Sequence, residues 1–212
     1  MFPTYQFGSQ MLQQIPTKED TYEWVEEKKR LHLRLTLPTT FDEYWNNVDK
    51  DIRTQYRKAQ KLGYTSKWTT EVAGTDISEI WDSWEEKQDR PLNRIMHHFN
   101  PNMGDWTNQG CWPYSYYPHT QGYLDLIQVY DDDGIVVAYL EIASTTTDTV
   151  VFSTMAHAYH QKNGIMKLLF MDTIKGLIDR HIKYFYYLKP RYVNENPEKA
   201  IFVRDLRFEE VQ

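Results

Sequence analysis

The chain has 212 residues, 41% of them hydrophobic, which is enough for one domain with a sizeable core. Its formal charge of -6 argues against binding nucleic acid through the whole surface, so any polyanion must meet a local basic patch. One cysteine, Cys111, excludes an intrachain disulfide, and no run approaches the ~18 apolar residues of a membrane-spanning helix.

The opening residues Met1-Phe2-Pro3-Thr4-Tyr5 lack the basic start and apolar run of a signal peptide, which sets the expectation of a cytoplasmic protein without a membrane partner. Residues 1–30 read as an N-terminal arm, followed by one domain over 31–212. Residues 31–37 alternate apolar and polar positions strictly and predict a half-buried strand stopped by Pro38. From residue 40, Phe41, Trp45, Val48, Ile52, Tyr56, Ala59 and Leu62 recur at steps of three and four and predict a helix ending at Gly63. A strand over 64–72 follows, then a helix to about Lys87 with Asp76 as its N-cap and Glu79 three positions on, carrying Ile77, Ile80, Trp81 and Trp84 inward.

Between 89 and 122 the pattern dissolves into Pro, Gly, Asn, Trp and Tyr, an irregular insert that compact domains seldom keep without a use. With 15% aromatic residues in the chain, some rings are expected to line a binding site. Trp106, Trp112, Tyr114, Tyr116 and Tyr117 are the expected grip on an acceptor. Cys111 lies among them with no local pattern that lowers its pKa, so it reads as an idle thiol.

Three hairpin-linked strands come next, over 123–130, 135–144 and 149–156. Asp131-Asp132-Asp133-Gly134 lacks the spacing and terminal Glu of a calcium loop and reads as a hairpin turn. A helix over 164–180, an apolar strand over 184–188 ended by Pro190, and a short helix over 197–205 complete the chain. His157 and His160 have no Cys or carboxylate at metal-ligand spacing, so no metal is expected.

The junction from His157 to Met166 leaves a strand and enters a helix. Free backbone N-H groups there, and the positive end of the helix dipole, make an anion cradle. Its residues Gln161-Lys162-Asn163-Gly164-Ile165-Met166 resemble the coenzyme A pyrophosphate loop of the GNAT superfamily, with Gln161 and Gly164 at matching positions and Met166 where the family has a small residue. The order of elements over 31–188 is similar to that superfamily as well. The resemblance implies a single α/β domain, with a central mixed, mostly antiparallel sheet flanked by helices. It also implies N-acyl transfer from acetyl-CoA or another acyl-CoA to a small-molecule or peptide amine.

On that reading, N-H groups near Thr154, Met155 and Ala156 bind the acyl carbonyl, and residues 161–166 bind the donor phosphates. Glu141, in an otherwise apolar strand, and His157, at the end of the next, are both candidates for the base. Tyr192 is the nearest substitute for the family's tyrosine acid. A second resemblance, over Arg53-Thr54-Gln55-Tyr56-Arg57-Lys58-Ala59-Gln60-Lys61-Leu62-Gly63, is to the basic helix of the Fem-type branch, which takes amino acids from charged tRNA. It would engage tRNA through Lys50, Arg53, Arg57 and Lys61. A non-catalytic module that binds a partner through the aromatic insert is the third reading.

Overall fold

The computed structural model describes residues 18–69, 74–88 and 124–211. Alternating burial builds the edge strand β1 (Leu33–Thr36), in which Leu33 and Leu35 are buried and Thr36 is exposed. The other strands among the described residues are β2 (Thr65–Thr69), β3 (Leu124–Tyr130), β4 (Val136–Ser144), β5 (Asp148–Ala156) and β6 (Tyr184–Tyr187). They form one sheet in the order β1-β6-β5-β4-β3-β2. Every neighbouring pair is antiparallel except β5 and β6, which are parallel. A parallel pair needs a crossover, and helix α5 (Ile165–Asp179) supplies it.

Two apolar layers sandwich this sheet. On one face, α5 packs with α2 (Phe41–Asn47), α3 (Lys50–Lys61) and α7 (Pro197–Asp205) over Ile127, Val129, Leu140, Ile142 and Phe185. On the other, α1 (Lys18–Lys29) and α4 (Gly74–Gln88) cover Leu126, Tyr139, Ala143, Val150 and Tyr186 with Trp24, Val25, Ile80 and Trp81. The mixed, mostly antiparallel sheet flanked by helices is the architecture expected from the sequence.

Three elements differ from that expectation. Helix α1 lies within the stretch read as an arm, yet it buries Trp24 and Val25 against the sheet and its Lys29 approaches Asp148 at 3.8 Å. Its contact rests on two adjacent residues, too few to give a period. The helix expected from residue 40 onward is two helices, because Val48 is extended and the Asp49 carboxylate accepts the Asp51 N-H at 2.7 Å, a new N-cap. Pro190, read as a strand end, also opens the short helix α6 (Pro190–Asn194), where its missing N-H costs nothing.

Gly176 of α5 lies against the indole of Trp68 on β2, whose ring also carries the Arg180 guanidinium at 4.0 Å; Arg180 in turn pairs with Asp125. A Cβ at residue 176 falls 2.5 Å from that ring. Gly176→Ala gains ~1 kcal/mol of helix propensity but overpacks the ring at a cost of about 1–3 kcal/mol. A lower urea midpoint at unchanged m-value is expected, and a raised midpoint would show that the indole yields freely.

Candidate active site

Strand β5 runs beside β6 only through residues 148–150, paired with 184–186, while β5 itself continues to Ala156. The two parallel strands therefore part, and among the described residues no strand pairs with the second half of β5 on that side, its open edge. In the register with β4, Ile142 faces Val151 and Glu141 faces Ser153, so one extra residue is accommodated at position 152 as a bulge. Beyond the bulge, His157 donates its N-H to the Val137 carbonyl at 2.8 Å. Backbone polar groups alternate sides along a strand, so those of Thr154 and Ala156 point away from β4, toward the open edge. Thr154 and Ala156 are two of the three residues expected to hold an acyl carbonyl; the third, Met155, stands opposite Tyr139 with its backbone groups toward β4.

The chain then turns through a 3-10 turn (Gln161–Asn163) into α5. The α5 ladder begins with the Leu168 N-H on the Gly164 carbonyl, so the helix's first donors are those of residues 165–167. Lys58 of α3 donates to the Lys162 carbonyl at 2.8 Å and holds the turn against α3. Asn163 donates to the Tyr64 hydroxyl at 2.9 Å, which meets His160 Nδ1 at 2.8 Å. Met166, larger than the family's residue, packs partly against the main core.

Gly164 has a role the sequence reading missed. It is buried, sits at φ +85°, and a Cβ there runs into the backbone carbonyl of Gln55 on α3. The missing side chain serves helix packing, so a substitution at this position acts on the fold before it acts on any ligand.

Glu141 points into the α1/α4 face with Tyr139 and Ala143, and it is fully buried. Neither carboxylate oxygen has a hydrogen-bond partner among the described residues. Burial raises its pKa well above the usual carboxylate range, with the Ser153 hydroxyl opposing. Tyr139 meets that same hydroxyl at 3.4 Å. His157 is half-buried at the sheet end, with its ring 4.9 Å from that of His160. Burial and then His160 lower its pKa, with Glu86 and Asp131 opposing, so the ring is held neutral. Its Nδ1 accepts the Tyr159 N-H at 3.4 Å.

The structure does not bring the two base candidates together. Position 157 is four residues beyond Glu141's register partner, about 13 Å at ~3.3 Å per residue. Tyr192 stands on α6 with half its surface exposed and makes no side-chain hydrogen bond among the described residues. Trp106, Trp112, Tyr114, Tyr116, Tyr117 and Cys111 lie outside the described residues. Of the basic face, Lys50 and Lys61 are exposed, Arg53 donates to the carbonyls of Trp45 and Asn46, and Arg57 stacks on the Trp45 ring at 5.1 Å. Asp131 spends a carboxylate oxygen on the N-H groups of Asp133 and Ile135, fixing the hairpin turn. Ser153 and Tyr64 were not singled out by sequence reasoning, and Trp84 was expected only as a core ring, because their partners are distant in the chain.

No protein-family model and no curated protein matches the sequence. Solved structures share its fold. The crystal structure of FemX aligns with a TM-score of 0.56 at 8% identity, over 83% of this chain and 57% of that one. A conserved protein of unknown function from Bacteroides thetaiotaomicron VPI-5482 aligns with a TM-score of 0.51 at 12% identity, over 86% and 57%. L-PGS from Bacillus licheniformis aligns with a TM-score of 0.50 at 13% identity, over 75% and 46%. The chain thus spans about half the length of these structures, and the GNAT-like fold expected from its sequence is the fold observed. Among the described residues no helix is long and apolar enough to cross a membrane.

Two outcomes follow for the site residues. Gly164→Val should lower stability by about 2 kcal/mol or more before any ligand is added, through overpacking and backbone strain; an unchanged urea midpoint would contradict the contact with Gln55. For Glu141, a folded pKa above the unfolded value near 4.5 means that the folded state keeps a proton the unfolded state loses. Its effect is absent below the unfolded value, and stability then falls by about 1.4 kcal/mol per pH unit until the folded value is reached. Glu141→Gln removes this loss, so its thermal midpoint should rise relative to wild type between pH 5 and 8 and match it near pH 4. Parallel midpoint curves would show that the carboxyl is ionised in the folded protein.

Proposed function

We propose that this chain is an N-acyltransferase that moves an acyl group, most simply acetyl from acetyl-CoA, directly onto a primary amine. The observation that carries this reading is the buried Glu141 carboxyl beside the bulge, in the strand next to the open edge of β5. The acyl carbonyl lies against the N-H groups of Thr154 and Ala156, where the tetrahedral oxyanion forms. Residues 161–166 take the donor phosphates through the first N-H groups of α5 and through Lys162.

An amine with a pKa near 10 arrives as an ammonium, and a neutral buried carboxyl changes state when it does. The positive charge favours the carboxylate form, so Glu141 releases its own proton to solvent as the ammonium arrives, and the ionised carboxylate then accepts a proton from the amine. The neutral amine attacks and the C-N bond forms; the carbonyl then re-forms as the C-S bond breaks, and the nitrogen's remaining surplus proton passes to the departing sulfur, so that amide and free thiol leave. Ser153 steadies the carboxylate during the transfer. His157, neutral but remote from Glu141 along the sheet, supports proton exchange at the sheet end rather than the attack.

A second reading, aminoacyl transfer from charged tRNA, draws support from the exposed cations Lys50, Arg57, Lys58 and Lys61 on α3, beside the loop that carries Lys162. Calorimetric titration with acetyl-CoA and with charged tRNA separates the donors. With the accepted donor and an amine panel, Glu141→Gln should lower kcat about 100-fold or more at unchanged donor affinity, and His157→Gln should lower it far less. A near-normal rate in Glu141→Gln from pH 6 to 9 would remove Glu141 from the mechanism.

A further inference from the structure

Helix α4 holds the end of β5 through three side chains on one helical face. Trp84 donates its indole N-H to the Ala156 carbonyl at 2.7 Å, and Lys87 donates to the Ala158 carbonyl at 3.3 Å. The buried Ser83 hydroxyl accepts the Ala158 N-H at 3.0 Å while donating to the Ile80 carbonyl at 2.6 Å. The Lys87 ammonium lies 5.0 Å from the centre of the Trp84 ring. These bonds differ in kind. Ala158 belongs to the loop, whereas the Ala156 carbonyl belongs to the open strand edge, where a neighbouring strand would have placed an N-H.

A strand edge left by its neighbour recruits any chain that presents backbone-like donors and acceptors. Here the indole stands in for one such donor. We propose that Trp84 gates the open edge of β5: an extended ligand carrying amide groups takes the Ala156 carbonyl with its own N-H, and the indole withdraws to admit it. This rests on the acyl-CoA reading, since the arm of coenzyme A carries two amides along a chain of that kind. Ser83 and Lys87 continue to hold Ala158 as Trp84 leaves, so the phosphate loop keeps its place while the edge opens. Binding then trades one hydrogen bond for another and gains only their difference.

The gate is tested with the whole chain, coenzyme A and the variant Trp84→Phe, which keeps an aromatic ring and deletes the donor. Deletion leaves the carbonyl unpartnered in the free protein, so coenzyme A should bind about 2–10-fold more tightly, the ratio that one net hydrogen bond carries. In wild-type protein the indole N-H resonance, assigned by its absence in Trp84→Phe, should shift on adding coenzyme A, and its hydrogen exchange should quicken. Should Trp84→Phe fold poorly, the resonance is assigned instead by nuclear Overhauser contacts with the Lys87 side chain over the ring, and its shift alone decides. Binding by the variant with none by wild type would also support a gate, one closed at rest. Coenzyme A binding with an unmoved indole resonance and equal or weaker affinity in Trp84→Phe would overturn the gate and leave the acyl-CoA reading standing. No binding by either protein would overturn both.

Discussion

Pairing on the two sides of β5 is unequal: β4 follows it along both halves, while β6 follows it for three residues and then turns away. A buried backbone group without a partner costs about as much as a lost hydrogen bond, so the abandoned half of the strand must find partners elsewhere. Trp84 supplies one for Ala156, and the loop beyond is held by Ser83 and Lys87. The position of α4 follows from this need as much as from the apolar contact of Ile80 and Trp81 with Tyr139 and Leu126. The parting also puts donors at an open edge close to a buried acid, with the start of α5 just beyond.

On the opposite face, α3 determines how near the turn at residues 161–164 lies to the core. Its backbone at Gln55 comes so close to residue 164 that only glycine fits, and Lys58 reaches over to the Lys162 carbonyl. Tyr56 on the same helix donates to Asp172 of α5, which also accepts from Ser66 of β2. The basic helix is therefore part of the turn's support. Its exposed cations lie beside the helix start that would meet an anionic donor, whichever donor that is.

Much of this was legible because local period reports burial. The alternation at 31–37, the three hairpin strands and the stripe of α5 were each visible without neighbours, and their order was enough for the fold. What was hidden depended on contacts across the chain. The stripe through Val48 continued in phase across a break that only the Asp49 cap betrays. Gly164 stood in a pattern that suggested a ligand, and its structural partner is more than a hundred residues earlier. Glu141 stood out as an acid in an apolar strand, yet which face it occupied depended on sheet packing that a strand's own sequence does not contain. Trp84 looked like one more core aromatic until its acceptor, Ala156, was beside it.

The bulge at position 152 gives β5 two parities. Before it, even-numbered Val150 faces α1 and α4; after it, odd-numbered Ser153 and Met155 do. One residue of chain length thus decides whether position 152 or Ser153 stands across from Glu141, and whether a hydroxyl is near that acid. A single deletion or insertion in this strand exchanges its two faces beyond that point, turning inward what was outward without changing any other residue. Length, at this one place, is as strict a determinant of the site's chemistry as residue identity.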